Sequence, residues 1–210
     1  MNERNPTLRE RQREETRRAI QTCAVRLFTD RGYDRVTVAE IAEAAGVSSM
    51  TVYRHFPTKE DLVLVEQPVR HIAELVASSP ASFPLVRRVG SALVDAATAL
   101  TRREVDEPAA GERFLLDCLR LMIATPALRA RHLDSQYAMQ QAIVEALGED
   151  AADQDDAFLA RAAISACLAA MHMALTRWAE DDGRTPLPDL ITRALTASFG
   201  DTAVVRRPGS

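Results

Sequence analysis

Lysine is almost missing from this chain: of 26 basic residues among 210, Lys59 alone is a lysine and the others are arginine. Cysteine is scarce as well. Cys23, Cys118 and Cys167 are odd in number, far apart and without a C-x-x-C partner, which excludes a disulfide framework and a cysteine zinc site and fits a reducing cytoplasm. Aromatic residues make up 5% of the chain, and no stretch alternates β-branched with polar residues, so a sheet protein is excluded. No apolar run reaches the roughly 18 residues of a membrane span. The opening "MNERNPTLRERQREETRR" is charged throughout and lacks the apolar region of a secretory signal. The expectation is a cytoplasmic, nucleoid-associated protein with no membrane partner.

Chemistry-bearing patterns are missing too. No nucleophile–base pair, phosphate loop or metal cluster occurs at usable spacing, and His132 and His172 lack an E-x-x-H or paired-histidine spacing. The chain reads as a non-enzyme with no cofactor and no metal. A metal-sensing regulator or a helical-bundle enzyme stands as the alternative.

What is present is 47% apolar content, enough for a substantial core, and an uneven charge distribution. Residues 1–59 hold 11 basic and 8 acidic side chains, a net +3; the remainder holds 15 and 22, a net −7, and the two sum to the overall −4. A basic N-terminal part points to a polyanionic partner there. Arg and Glu alternating along one helix also describe an ordinary solvated face, so charge alone decides nothing.

Helical periodicity runs through every long segment and predicts an all-α protein. The first helix is expected over residues 9–30, with Ile20, Ala24, Leu27 and Phe28 on one face and Gly32 ending it. Thr37 and Glu40 have capping-box spacing for a helix of barely two turns closed by Gly46. A second short helix, capped by Ser48 or Ser49, stops before Pro57, and Thr58 with Asp61 marks a further start. That helix should continue to about residue 78, kinked at Pro68, with further helices over 84–103, 111–125, 127–147, 153–179 and 188–199. The predicted domains are residues 1–62, 63–202 and a flexible tail, 203–210.

Short helix, glycine turn, short helix is the helix-turn-helix pattern, whose second helix enters the major groove. "AVRLFTDRGYDRVTVAEIAEAAGVSSMTVYRHFPTKEDLV", residues 24–63, carries F-x-x-x-G-Y, T-x-x-x-I-A-x-x-A-G-V-S, Y-x-H-F and K-x-x-L in order. In this it resembles the TetR family of bacterial transcriptional regulators. The resemblance implies a three-helix DNA-binding domain followed by a larger helical-bundle domain for ligand binding and dimerisation. It also implies a homodimeric repressor that leaves a palindromic operator when it binds a small apolar or amphipathic effector.

Val52 and Phe56, four residues apart, can anchor the second short helix and leave Ser48, Ser49, Met50, Thr51, Arg54 and His55 to face DNA. Hydroxyls, an arginine for guanine and an apolar side chain for the thymine methyl are what base edges require. The resemblance places a phosphate-binding hydroxyl at Tyr53 and a second contact at His55; a wet-tipped core tyrosine and an ordinary exposed histidine are the plain alternatives. Lys59 falls in a first helical turn, where a cation is locally unfavourable by a few tenths of a kcal/mol. A phosphate held jointly with Thr37 and Tyr53 would offset that, and a solvated lysine is the bland reading. The arginines of residues 9–18 could form a flexible minor-groove arm or a solvated helical face.

In the larger domain the helix from Asp153 is apolar nearly all round between Ala162 and Leu175, so it must be buried on two sides. The ladder Phe158, Ala162, Ala166, Ala170, Ala174, together with Leu190, Ile191, Ala194 and Leu195 of the last helix, is the predicted dimer interface, with burial in a single monomer core as the alternative. An effector pocket is expected at Phe114, Cys118, Leu119, Met122, Tyr137, Met171 and Trp178, where plain core packing competes with it. "TPALRARHLDSQYAMQQAIVEALGED" also resembles the C-terminal half of the mycofactocin-regulator-like subgroup, which implies an effector of acyl-coenzyme A type.

Overall fold

A computed structural model describes residues 7–64, 69–102, 108–148 and 153–200. Among them are nine α-helices and two single 3-10 turns: α1 Leu8–Arg31, α2 Val38–Ala44, α3 Ser49–His55, α4 Val69–Ser78, α5 Leu85–Arg102, α6 Pro108–Ala124, α7 Pro126–Leu147, α8 Gln154–Glu180 and α9 Leu187–Phe199. The all-helical expectation holds, with most ends within one to three residues of those read from the sequence. Pro68 and the 203–210 tail lie outside the described residues.

Local chemistry sets the boundaries of the N-terminal helices. Thr7 and Glu10 form a reciprocal capping box on α1, and Thr37 and Glu40 form another on α2. Gly32 (φ 89°) and Gly46 (φ 68°) take the left-handed backbone that turns the chain sharply after α1 and α2. Ser48 caps α3 by accepting the Thr51 N–H, and the chain leaves the helix at Phe56, before Pro57. Because α1 begins at Leu8, the arginines of residues 9–18 are helical and do not form an extended arm. Only its second half is buried, through Ile20, Ala24, Val25, Leu27 and Phe28.

Thr58 and Asp61 do form the predicted reciprocal bonds, yet only a 3-10 turn, Glu60–Leu62, follows them. Residues 63 and 64 after it are not helical, and the connecting helix is described from Val69 to Ser78. The core is continuous from Ile41, Val52, Phe56 and Leu62 in the first part to Leu128, Met139, Ile164, Trp178 and Leu195 in the second. Each such side chain, fully buried, contributes about 1.5–3 kcal/mol.

Helix α8 is long and apolar enough to cross a membrane by length and composition, the one such helix among the described residues. Arg161, Ser165 and His172 interrupt its apolar run in the sequence. Ile164, Cys167, Leu168, Met171, Leu175 and Trp178 are buried within the protein, as in a core helix packed on α5, α7 and α9.

Candidate nucleic-acid interface

Helix α3 is held from beneath and open above. Val52 and Phe56 are each 1% exposed, while Met50 and Tyr53 are 77% and 51% exposed and Arg54 is open to solvent. Two hydrophobic anchors thus fix a helix of seven residues, too short to be stable by itself. Ser49, Thr51 and His55 are half-buried; Ser48 and Thr37 are exposed. The hydroxyls of Ser48 and Thr51 lie 3.0 Å apart, and that of Thr37 donates to Glu40 at 2.8 Å. Glu40 also takes Arg31 at 3.0 Å, tying the end of α1 to the start of α2. Burial and the neighbouring Arg54, Arg13 and Arg17 hold the His55 imidazole below its usual pKa range.

Lys59 has a partner inside the protein. It precedes the 3-10 turn, and its Nζ donates to the Tyr33 carbonyl at 2.6 Å, 4.3 Å from the Tyr33 ring centre and 5.4 Å from that of Phe28. The Tyr33 hydroxyl donates in turn to Glu60 at 2.9 Å, and burial first, then this carboxylate, raises the phenol pKa. An ammonium has three donors, so one bond to Tyr33 is compatible with a phosphate on the others. Tyr33 is a functional neighbour that sequence reasoning missed. Its only signal was a place in the G-Y motif.

The joint between the two parts is polar as well as apolar. Arg17 of α1 donates to the His55 carbonyl at 3.0 Å and lies 4.5 Å over the Phe56 ring. Gln21 donates to the Leu64 carbonyl at 3.2 Å. Arg131 of α7 donates from Nε and Nη2 to Asp61 Oδ1 at 3.2 and 3.1 Å. Burial works against ionisation of Asp61, but hydrogen bonds from Thr58 and Arg131 outweigh it and hold the carboxyl below the usual range. No sequence signal could have paired residues 70 positions apart.

A cleft of about 420 Å3 opens at this joint, walled by Arg17, Phe56, Asp61, Val69, Arg131 and His132 among others. None of the seven predicted pocket residues lines it. Cys118, Leu119, Met122, Met171 and Trp178 are buried core, Phe114 packs against that core, and Tyr137 is 64% exposed. Tyr137 instead borders a shallower groove of about 180 Å3 with Leu133, Gln140 and Ser165. Burial pushes the Cys167 thiol up to about 12 and raises that of Cys118 too, so neither is a reactive nucleophile.

The structure brings His132 and His172 together although their spacing gave no hint of it, with ring centres 5.2 Å apart. His132 is buried and lies 3.1 Å from Gln136 through Nε2, and burial, then His172, lowers its pKa to about 4. Nδ1 of His172 is buried with no hydrogen-bond partner. Among the described residues no group of three or more His, Cys, Asp and Glu could hold a metal ion.

The predicted dimer ladder is not one face. Each i,i+4 step advances about 40° around an α-helix, so the four steps from Phe158 to Ala174 wind nearly half way round. Phe158, Ala162 and Ala166 are exposed, whereas Ala170, Ala174 and Trp178 are buried against the protein's own core. The exposed stripe continues instead through Ala169 and Met173, the latter 61% exposed. On α9, Leu190, Ile191 and Leu195 are at most 6% exposed and Ala194 is half-buried, so that helix turns its apolar side inward on α5 and α8.

Residues 20–65 match the family described as bacterial regulatory proteins, tetR family, and residues 108–198 match the MftR C-terminal domain. The transcriptional regulator TcmR of Streptomyces glaucescens is 29% identical over 176 residues, 82% of this chain and 77% of that protein. Among solved structures, NalD, the secondary repressor of the MexAB-OprM multidrug efflux pump in Pseudomonas aeruginosa, superposes with a TM-score of 0.57 at 23% identity, covering 94% of this chain and all of that one. The regulator FadR from Bacillus subtilis in complex with stearoyl-CoA superposes at 0.50 and 18% identity, covering 87% and 98%. Both likenesses are of fold.

Proposed function

Since the chain belongs to the TetR family of bacterial regulatory proteins and carries its helix-turn-helix, we propose that it acts as a homodimeric repressor on a palindromic operator and leaves that operator when a small amphipathic effector binds. The observation that carries this reading is α3: a short helix pinned by Val52 and Phe56, presenting Met50, Tyr53 and Arg54 outward beside Ser48 and Ser49. Arg54 suits a guanine edge, Met50 a thymine methyl, and the hydroxyls of Thr37 and Tyr53 with the ammonium of Lys59 suit phosphates. A palindrome demands two such helices one turn of DNA apart, about 34–36 Å, and therefore two copies of the chain. The outward apolar stripe Phe158, Ala162, Ala166, Ala169 and Met173 on α8 is the surface on which a second copy would close.

Effector release requires unequal affinity for the DNA-competent and incompetent arrangements; a tenfold effect needs about 1.4 kcal/mol of coupling. The fold it shares with a stearoyl-CoA-bound regulator, and the MftR C-terminal match, make an amphipathic molecule the leading effector class. Such a protein meets its DNA in the cytoplasm. Selection from a random duplex library followed by footprinting tests the reading. A two-fold-symmetric site protected against excess random DNA is the expected result, and equal competition by all duplexes would reduce the protein to a non-specific DNA coat.

A further inference from the structure

We propose that the cleft between the DNA-reading part and α7 is the effector site, and that it takes an amphipathic monocarboxylate whose head displaces Asp61 from Arg131. This rests on the repressor reading above and adds a location and a ligand chemistry to it.

The geometry of one ion pair points there. Both donors of the Arg131 fork, Nε and Nη2, converge on a single oxygen, Oδ1 of Asp61, while Oδ2 accepts the Thr58 N–H at 3.0 Å. Two parallel bonds to two oxygens are the stronger arrangement for a guanidinium and a carboxylate. A ligand carboxylate, unconstrained by a capping box, can offer both oxygens where Asp61 offers one. On release Asp61 keeps its reciprocal bonds with Thr58.

The rest of the cleft suits the rest of such a molecule. Phe56, Leu64, Val69 and Ala138 give it apolar walls, and its volume of about 420 Å3 lies in the range of small-molecule pockets. Arg17, held over Phe56, adds a second positive charge, and Asp134 on the α7 side limits the head to a single negative charge. The walls come from both halves of the protein, so whatever fills the cleft acts on their relative position. Exchange of Asp61 for ligand unties α7 from the turn that follows the recognition helix, and binding is thereby coupled to the reader.

Calorimetric titration of the full chain with decanoate, and with 1-decanol as its uncharged counterpart, tests the proposal without DNA. Decanoate is expected to bind saturably and at least tenfold more tightly than decanol. Arg131→Ala should weaken decanoate at least tenfold, Asp61→Asn should tighten it several-fold by removing the competing charge, and Ala138→Trp should block it by filling the cleft. If Arg131→Ala unfolds, the other two variants decide, since Ala138 is a solvent-exposed helix position. The proposal is overturned by no saturable decanoate binding, by decanol binding as well as decanoate, or by affinities unchanged in Asp61→Asn and Ala138→Trp. Failure of operator selection would overturn the repressor reading while leaving these titrations to speak for the site.

Discussion

The ammonium of Lys59 donates to the carbonyl of Tyr33 across 26 residues of sequence, at 2.6 Å. This bond, with the two aromatic rings beneath it, ties the segment that follows α3 to the turn that follows α1. The chain's one lysine is therefore a bracket around the recognition helix as well as a candidate for a phosphate.

Lys59→Met keeps the apolar stem and removes the charge. Loss of a charged hydrogen bond and a cation–π contact should cost about 1–2 kcal/mol, read as a lower urea midpoint with unchanged m. If the remaining donors also hold a phosphate, the salt slope of operator binding falls by about one while sequence preference stays. A changed operator preference with an intact slope would refute the phosphate role.

Met50→Ala and Arg54→Ala should do the reverse. Both side chains are exposed and free of core duties, so stability should hold. Discrimination at one base pair of each half-site should weaken by about 1–3 kcal/mol, measured on single-substitution operator variants. Uniform weakening across all variants would assign these residues to the backbone.

His132 makes stability depend on pH. Its folded pKa, about 4, lies below the ordinary value of 6.5, so the unfolded chain takes up the proton first. The contribution is complete above about 6.5 and drains away as pH falls towards 4, amounting to about 2–3 kcal/mol. Asp61, also depressed, adds a separate loss that begins only near and below the ordinary carboxylate value. Urea titrations at pH 7, 5.5 and 4.5 should show the loss in the wild type and a flatter profile in His132→Gln; identical profiles would remove His132 from the acid response.

Ala166→Glu and Ala170→Glu, four residues apart on α8, should part company. Ala166 is exposed, and a carboxylate there should leave a folded monomer. Ala170 is 6% exposed, and a carboxylate there should unfold the chain or cost several kcal/mol. Sedimentation with circular dichroism separates the two, and a folded, dimeric Ala166→Glu protein would move the interface off this stripe.

Local chemistry was legible in the sequence. Capping boxes at Thr37 and Thr58, the glycines that end α1 and α2, and Pro57 after α3 act within four residues, so their consequences can be read where they stand. The family motifs lie in the same short-range stretch, which is why the reader was identified and its helices placed. Tertiary packing decided what depends on rotation and on partners far along the chain. A ladder of alanines looked like one face because four residues make only slightly more than a turn, and the extra 40° per step carried Ala170 and Ala174 into the core. Arg131 met Asp61, and His132 met His172, only because helices packed at angles that no single helix encodes. The cleft, too, belongs to the joint between two halves, and was invisible until both were folded.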